Sequence, residues 1–541
     1  MNRASAQSTI AKKGLGAMGF YALTLAMVMD LHVYSVFATS GLSLVFFLVA
    51  GGILWFLPTA LAAAELATVE DWETGGIYVW VKNTLGERLG FAAVFFQWFQ
   101  VTVGFIAMLY FILAAIASVT GFTALNTNLV LQCFAVIAFF WIITFIQFRG
   151  SRITEKFGNV GGIVGILLPT LILFALAAAF LLSGAQSQTP LTTQALLPNF
   201  GSLGTLVVFI SFILSYMGIE ASASYANDLD NPKRTYPTVM IMMVVSAVIL
   251  NAIGGMSVAL TVPLKNLSLS SGITQALTVL FANIGIHAQF AAGIVTLMIA
   301  IGVTAEVAGW VVGPARGIYM AAQQGLLPPL LRKVNQYDVP VVLLIIQGIV
   351  VTIWACVLTI GGGGNNLSFL IAISLTVVIY IAAYLLLYAA YFVLIFKHKD
   401  LKRRYHLPGG IVGKTLIAGI GTLASLFALG ITFVPPSTLQ SGESATYLII
   451  LTAGFLVTLT LPFLIYARRN KAKHKTIVMP SRITLAEARK RRFVLPRFRG
   501  MHHIRPAPED YLPFSQYRKA RRLHQEEVEK AEAEKQAEYV Q

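Results

Sequence analysis

Apolar residues in this chain come in long unbroken runs, not in the alternating or amphipathic patterns of a soluble fold. Runs of about 20 residues have the length that crosses roughly 30 Å of hydrocarbon as a helix. Twelve lie near 16–38, 43–66, 90–118, 129–148, 158–183, 203–226, 238–262, 288–314, 339–360, 368–396, 412–434 and 446–467. Each predicts one membrane-spanning helix, numbered here spans 1 to 12. The first run is too long for a signal-peptide core, and no small-residue cleavage site follows it. It therefore reads as a span and not as a leader.

Composition agrees with the pattern. The 541 residues are 57% hydrophobic and 11% charged, with a mean hydropathy of +0.75, whereas soluble domains carry about 25% charged residues. The net charge of +16 raises the question of a nucleic-acid partner, and its placement argues against one. Of the 39 Lys and Arg, only Lys265 falls in an even-side loop. The others gather at the N-terminus, in alternate loops (Arg149, Arg152 and Lys156; Lys233 and Arg234; Arg332 and Lys333; Lys397 to Arg404) and in the tail. That asymmetry predicts a cell-membrane protein with both termini in the cytoplasm.

The chain divides into a twelve-helix core, 1–467, with residues 1–15 as a cytoplasmic N-terminus, and a basic tail, 468–541. The tail carries nineteen Lys and Arg against nine acids, +10 of the total. Its last stretch is a charge-rich helix former with no apolar face. Both cysteines, Cys133 and Cys356, fall inside spans, which predicts packed or lipid-facing thiols without a disulfide or metal site. No phosphate-cradling loop appears, and the His, Cys and Glu residues are not at metal-ligand spacing. The chain predicts no enzyme and no cofactor.

A charge at mid-membrane costs about 2.5–3.5 kcal/mol on insertion scales, so Asp30, Glu220 and Glu306 need an explanation. Snorkelling, protonation and bonding to neighbouring backbone are the bland readings. The functional one starts from their setting. MVMDLHVYS in span 1 and SYMGIEASAS in span 6 each hold a carboxylate mid-run, five spans apart. Interrupted helices at matching positions of two halves point to a transporter site. Gly218 relaxes the backbone beside Glu220, and the small residues after it admit a neighbouring helix. Breaks around Met29–His32 and Met217–Glu220 would bare amide donors for a substrate carboxylate and carbonyls for an ammonium. Together these fit an amino-acid head group.

Other residues add to this site or remain ordinary packing. Trp310 follows Glu306 by four residues and Tyr384 follows Tyr380 by four, so each pair shares a helix face. Such spacing serves a core as well as a ligand cage. His32 and Asp30 would point apart on an unbroken helix but approach in an unwound one. They are either a packed histidine beside an acid or a proton-sensing pair.

NPKRTYP after span 6 and GPARGIYMAAQQGLLPPLLRKVNQYDVPV after span 8 resemble the amino acid–polyamine–organocation superfamily. MVMDLHVYSVFATSGLSLVFFLVAGGILWFLP, AELATVEDWETGGIYVWVKNTLG, GTLVVFISFILSYMGIEASAS and GGGGNNLSFLIAISLTVVIY are similar, more narrowly, to its bacterial glutamate/γ-aminobutyrate (GABA) antiporters of acid resistance. The resemblance covers residues 15 to 467. It implies a leucine-transporter-like fold of two inverted five-helix repeats, with broken helices 1 and 6 and two peripheral helices. It also implies exchange of external glutamate for internal GABA, supplied by a cytosolic glutamate decarboxylase. Glu220, Glu306, Trp310, Tyr380 and Tyr384 match the family's path or substrate residues.

RFVLPRFRGMHHIRP (492–506) resembles the family's cytoplasmic plug, released by acid, with Arg497, Arg499, His502 and His503 in its basic core. A juxtamembrane segment drawn to anionic lipid, worth about 1 kcal/mol per basic residue, is the alternative. The chain departs from the family pattern at Asp30, His32 and Val33. An exchanger of another amino acid, such as glutamine or a second acidic substrate, therefore competes with the first reading. A transporter-like receptor is the reading from a different class.

Overall fold

The computed structural model describes residues 16–469, apart from 29, 71, 73–75, 151–159, 224–228, 230 and 441. The expected site residue Met29 and the tail calls at Arg497, Arg499, His502 and His503 lie outside the described residues. Within them the fold is all helical, with eleven helices long and apolar enough to cross a membrane. They correspond to expected spans 2 to 12: Gly41–Ala67, Glu87–Thr120, Leu129–Gln147, Gly161–Leu182, Leu203–Ala221, Pro232–Thr261, Ala288–Gln323, Val341–Gly361, Asn366–Lys397, Gly410–Ile431 and Glu443–Ala467. Spans 7 and 8 run further than their apolar stretches. Hydropathy marks where lipid begins, whereas a helix ends only where its backbone hydrogen bonds stop.

Span 1 is in pieces, so no single helix there is long enough to cross. Ala17–Val28 is helical, Asp30 is extended (φ −112°, ψ 93°), and the chain resumes as a 3₁₀ turn, Leu31–Val33, and a short helix, Tyr34–Ala38. Tyr34 docks against span 7 where Gly254 lacks a side chain; a Cβ there would lie 2.2 Å from the Tyr34 ring. Span 6 is interrupted as well. Helix Phe209–Leu214 gives way to a turn at 215–218, closed by Gly218 at φ +94°, before Ile219–Ala223 resumes. That left-handed backbone is open to glycine at little cost. The unwound stretch thus ends at Gly218, directly before the helix that begins at Ile219, and Glu220 stands in the first helical turn after the break, not within it.

Spans 3 and 10 are the most enclosed, with 83% of their apolar windows buried, and spans 11 and 12 the least, with 22%. The core is therefore built around spans 3 and 10, with 11 and 12 at its edge. Two further helices, Gly76–Leu85 and Gly272–Asn283, are too short to span and sit in the connections. Spans 5 and 8 touch backbone to backbone, since a Cβ on Gly165 would lie 2.2 Å from the Gly302 Cα. Small residues at four-residue spacing allow such contact in lipid, where packing and not water exclusion drives association. The thiols of Cys133 and Cys356 are both free, one buried and one exposed, with their sulfurs 3.8 Å apart between spans 4 and 9.

Candidate functional site

The two interruptions face one another across the bundle interior. A cavity of about 40 Å³ lies between spans 1, 3, 6, 8 and 10, and Asp30, His32, Met217, Glu306, Trp310 and Tyr380 are among its lining residues. Gln100 and Thr376 add polar groups that the sequence pattern did not single out. A water molecule's share of liquid volume is about 30 Å³. An amino acid therefore enters this space only if the surrounding spans move.

Glu220 and Tyr384 lie outside the cavity lining and form a layer behind it. The Glu220 carboxylate, 2% exposed, accepts hydrogen bonds from the Tyr380 and Tyr384 hydroxyls and from the Gln97 side-chain amide at 2.7 Å. Charge-assisted bonds of this kind let a carboxylate stay buried without a basic partner. The i, i+4 spacing on span 10 brings both tyrosines to one oxygen-rich point, their ring centroids 4.8 Å apart. Trp55 packs edge-on against Tyr384 at 4.9 Å, and its indole N–H donates to Ser425 at 3.0 Å. The Gly218 amide, one of the donors expected to be bare at the break, donates to the Tyr384 hydroxyl at 2.9 Å. In this conformation that donor is already satisfied.

On the cavity side, Asp30 is extended and stands outside the helical turn that holds His32, so the two are not held apart as they would be on an unbroken helix. The His32 Nδ1 lies 3.9 Å from a Glu306 carboxylate oxygen. Asp30, His32 and Glu306 each offer a ligand atom, all within 4.8 Å of one another. The fold thus assembles an acid–imidazole–acid set that sequence spacing does not show.

The sequence pattern of the amino acid permeases matches residues 15–455, most of the chain, ending within span 12. The chain belongs to the amino acid permease family. The permease is similar to the glutamate/gamma-aminobutyrate antiporter of Lactococcus lactis subsp. lactis (strain IL1403), 52% identical over 501 residues that cover 93% of this chain and 99% of that protein. It is 53% identical, over the same shares, to the protein of that name from Lactococcus lactis subsp. cremoris (strain MG1363). An uncharacterized transporter of Legionella pneumophila is 28% identical over 85% of this chain and 97% of its own length.

One buried charge cluster in the permease has no counterpart in the sequence reading. Glu65, near the end of span 2, is fully buried. Its carboxylate pairs with Lys414 at the start of span 11 and with Arg403 at 3.1 Å, and it lies 3.7 Å from His406 Nδ1. The Arg403 approach is too oblique for a hydrogen bond. The Tyr391 hydroxyl donates to Glu65 at 2.8 Å and the Leu407 amide at 2.9 Å. Backbone pairing secures the same loop: the Glu70 amide donates to the Lys402 carbonyl at 3.0 Å, and the Arg404 amide to that of Thr68 at 3.1 Å. Burial, together with the nearby Lys414, Arg403 and Lys233 charges, outweighs the Glu65 carboxylate and lowers the His406 pKa below its ordinary 6.5. The only sequence signal was an acid inside AAAELAT, within a run that otherwise reads as lipid-facing.

Proposed function

We propose that this permease exchanges external glutamate for internal GABA across the cell membrane and so contributes to acid resistance. The observation that carries the reading is the 52% identity, over nearly the full length of both chains, to a protein named as that antiporter. The interrupted first and sixth spans around a cavity that holds Asp30, His32 and Glu306 supply the physical basis. In this reading Met29, Asp30, His32, Met217, Gly218, Glu220, Glu306, Trp310, Tyr380 and Tyr384 form the substrate path. The interrupted first segment counts as the twelfth span, spans 1–5 and 6–10 form two inverted repeats, and residues 1–467 form the transport core. Both termini lie in the cytoplasm, as the distribution of Lys and Arg favours. A cytosolic glutamate decarboxylase supplies the GABA, and its reaction consumes a proton. The segment near 490–506 is the acid-released plug of the tail at 468–541.

Uptake of labelled glutamate into GABA-loaded proteoliposomes is the test. It is run between about pH 4.5 and 7.5, on both sides of the ordinary histidine pKa of about 6.5. Uptake that depends on internal GABA and rises with acidity is expected. Uptake indifferent to internal GABA would overturn this reading. Asp30 and His32 in the cavity favour one competing specificity, an exchanger for another amino acid such as glutamine. Counterflow driven by that solute in place of GABA would establish it, and no flux of any labelled substrate would point to a receptor.

A further inference from the structure

The cavity holds a group of side chains that its own polar contacts leave unfinished. His32 is 2% exposed, yet its Nδ1 has no hydrogen-bond partner, and neither does Glu306 Oε1. Both residues belong to the cluster in which Asp30, His32 and Glu306 each offer a ligand atom within 4.8 Å of the others. Among the described residues, no Lys or Arg lines the cavity. An unpaired imidazole nitrogen and two carboxylates around a space of about 40 Å³ fit a compact cation better than a larger solute.

We propose that Asp30, His32 and Glu306 form a binding site for a divalent transition cation, with Zn²⁺ the best match. One imidazole with two carboxylates is a nitrogen–oxygen set of the kind that binds Zn²⁺, whereas Mg²⁺ and Ca²⁺ take oxygen ligands in larger number. Zn–N and Zn–O bonds of about 2.0–2.2 Å place tetrahedral neighbours roughly 3.3–3.5 Å apart. The 3.9 Å between His32 Nδ1 and Glu306 therefore closes by about half an ångström on binding, within reach of small side-chain rotations. The fourth position opens on the cavity, where a water or a carboxylate completes the shell. The break in span 1 is what permits the set, because it turns Asp30 and His32 toward the same side. A consequence follows that rests on the exchange reading: a bound cation occupies the path and competes with substrate.

The experiment uses the purified full chain in detergent, stripped with chelator and titrated with Zn²⁺ alone by calorimetry. One saturable equivalent is expected, weakened at least tenfold by His32→Gln and by Asp30→Asn. The variant His502→Gln/His503→Gln, altered only in the tail, is expected to bind as the unmodified protein does. Co²⁺ titrated into the unmodified protein provides a readout independent of how the variants fold, with the visible absorption of a four-coordinate nitrogen–oxygen site expected. Absence of saturable binding, affinity unchanged in both cavity variants, or loss of binding in the tail variant would each overturn the proposal. Calorimetry needs no transport, so the site and the exchange reading fail separately. Binding without glutamate–GABA flux rejects only the exchange, and flux without binding rejects only the site.

Discussion

Glu65→Gln isolates the contribution of one buried carboxylate to the whole molecule. Glu65 is fully enclosed, and it faces Arg403 and Lys414, whose side chains are 3% and 12% exposed. Glutamine has nearly the same shape and keeps an oxygen for the Tyr391 hydroxyl or the Leu407 amide, but it removes the negative charge. Two cations then stay buried with no counter-charge. Breaking a buried pair from one side costs about 3–5 kcal/mol, and the retained neutral hydrogen bond offsets about 1 kcal/mol. The expected loss is about 2–4 kcal/mol, roughly a 30- to 700-fold shift in the folding equilibrium at 1.4 kcal/mol per tenfold.

Denaturant unfolding of the purified protein, followed by tryptophan fluorescence, measures that loss. The double substitution Glu65→Gln/Lys414→Met is the stricter test, because it removes one of the stranded cations along with the carboxylate. It should cost less than the sum of the two single substitutions, the signature of direct coupling. If Glu65→Gln stays within about 0.5 kcal/mol of the unmodified protein, the size of an ordinary surface change, the burial argument fails. Strict additivity of the pair would refute the claim that Lys414 answers Glu65.

The remaining predictions concern the site, the packing, the loop and the tail. Tyr384→Phe removes a donor to Glu220 and the acceptor of the Gly218 amide; a loss of about 1–3 kcal/mol per unsatisfied group should appear as lower stability and slower glutamate uptake, and unchanged uptake would take Tyr384 out of the path. Gly165→Ala should destabilise by forcing spans 5 and 8 apart, whereas Gly309→Ala, with nothing within 4 Å of its added methyl, should be close to neutral in the same unfolding assay. His406, with its pKa held below 6.5 in the folded protein, takes up its proton more readily when unfolded, so its contribution is complete above about pH 6.5 and is lost as pH falls below that value. His406→Gln should therefore flatten the fall in stability on the acid side, by a small amount because the side chain is half exposed; an identical profile would show that His406 does not contribute. Truncation after about Arg469 should extend exchange toward neutral pH, and an unaltered pH profile would favour the lipid-binding reading of the tail.

The sequence alone was enough to locate the eleven spanning helices of the described residues and the two interruptions, in expected spans 1 and 6. Each is a local property. Twenty apolar residues have to cross lipid as a helix, and a carboxylate beside glycine or in a polar break marks where that helix is interrupted. The shared face of Tyr380 and Tyr384 is local too, because four residues make about one helical turn. Only the tertiary structure decided which groups meet. Glu220 finds its partners in two tyrosines and Gln97, one layer behind the cavity it was expected to line. Glu65, which looked like one acid in an alanine-rich run, is answered by Lys414 349 residues later. Asp30, His32 and Glu306, at no recognisable spacing, converge because the first helix breaks and the eighth passes beside it. Periodicity reports what each helix presents, but the partner of a buried charge is set by packing between segments hundreds of residues apart.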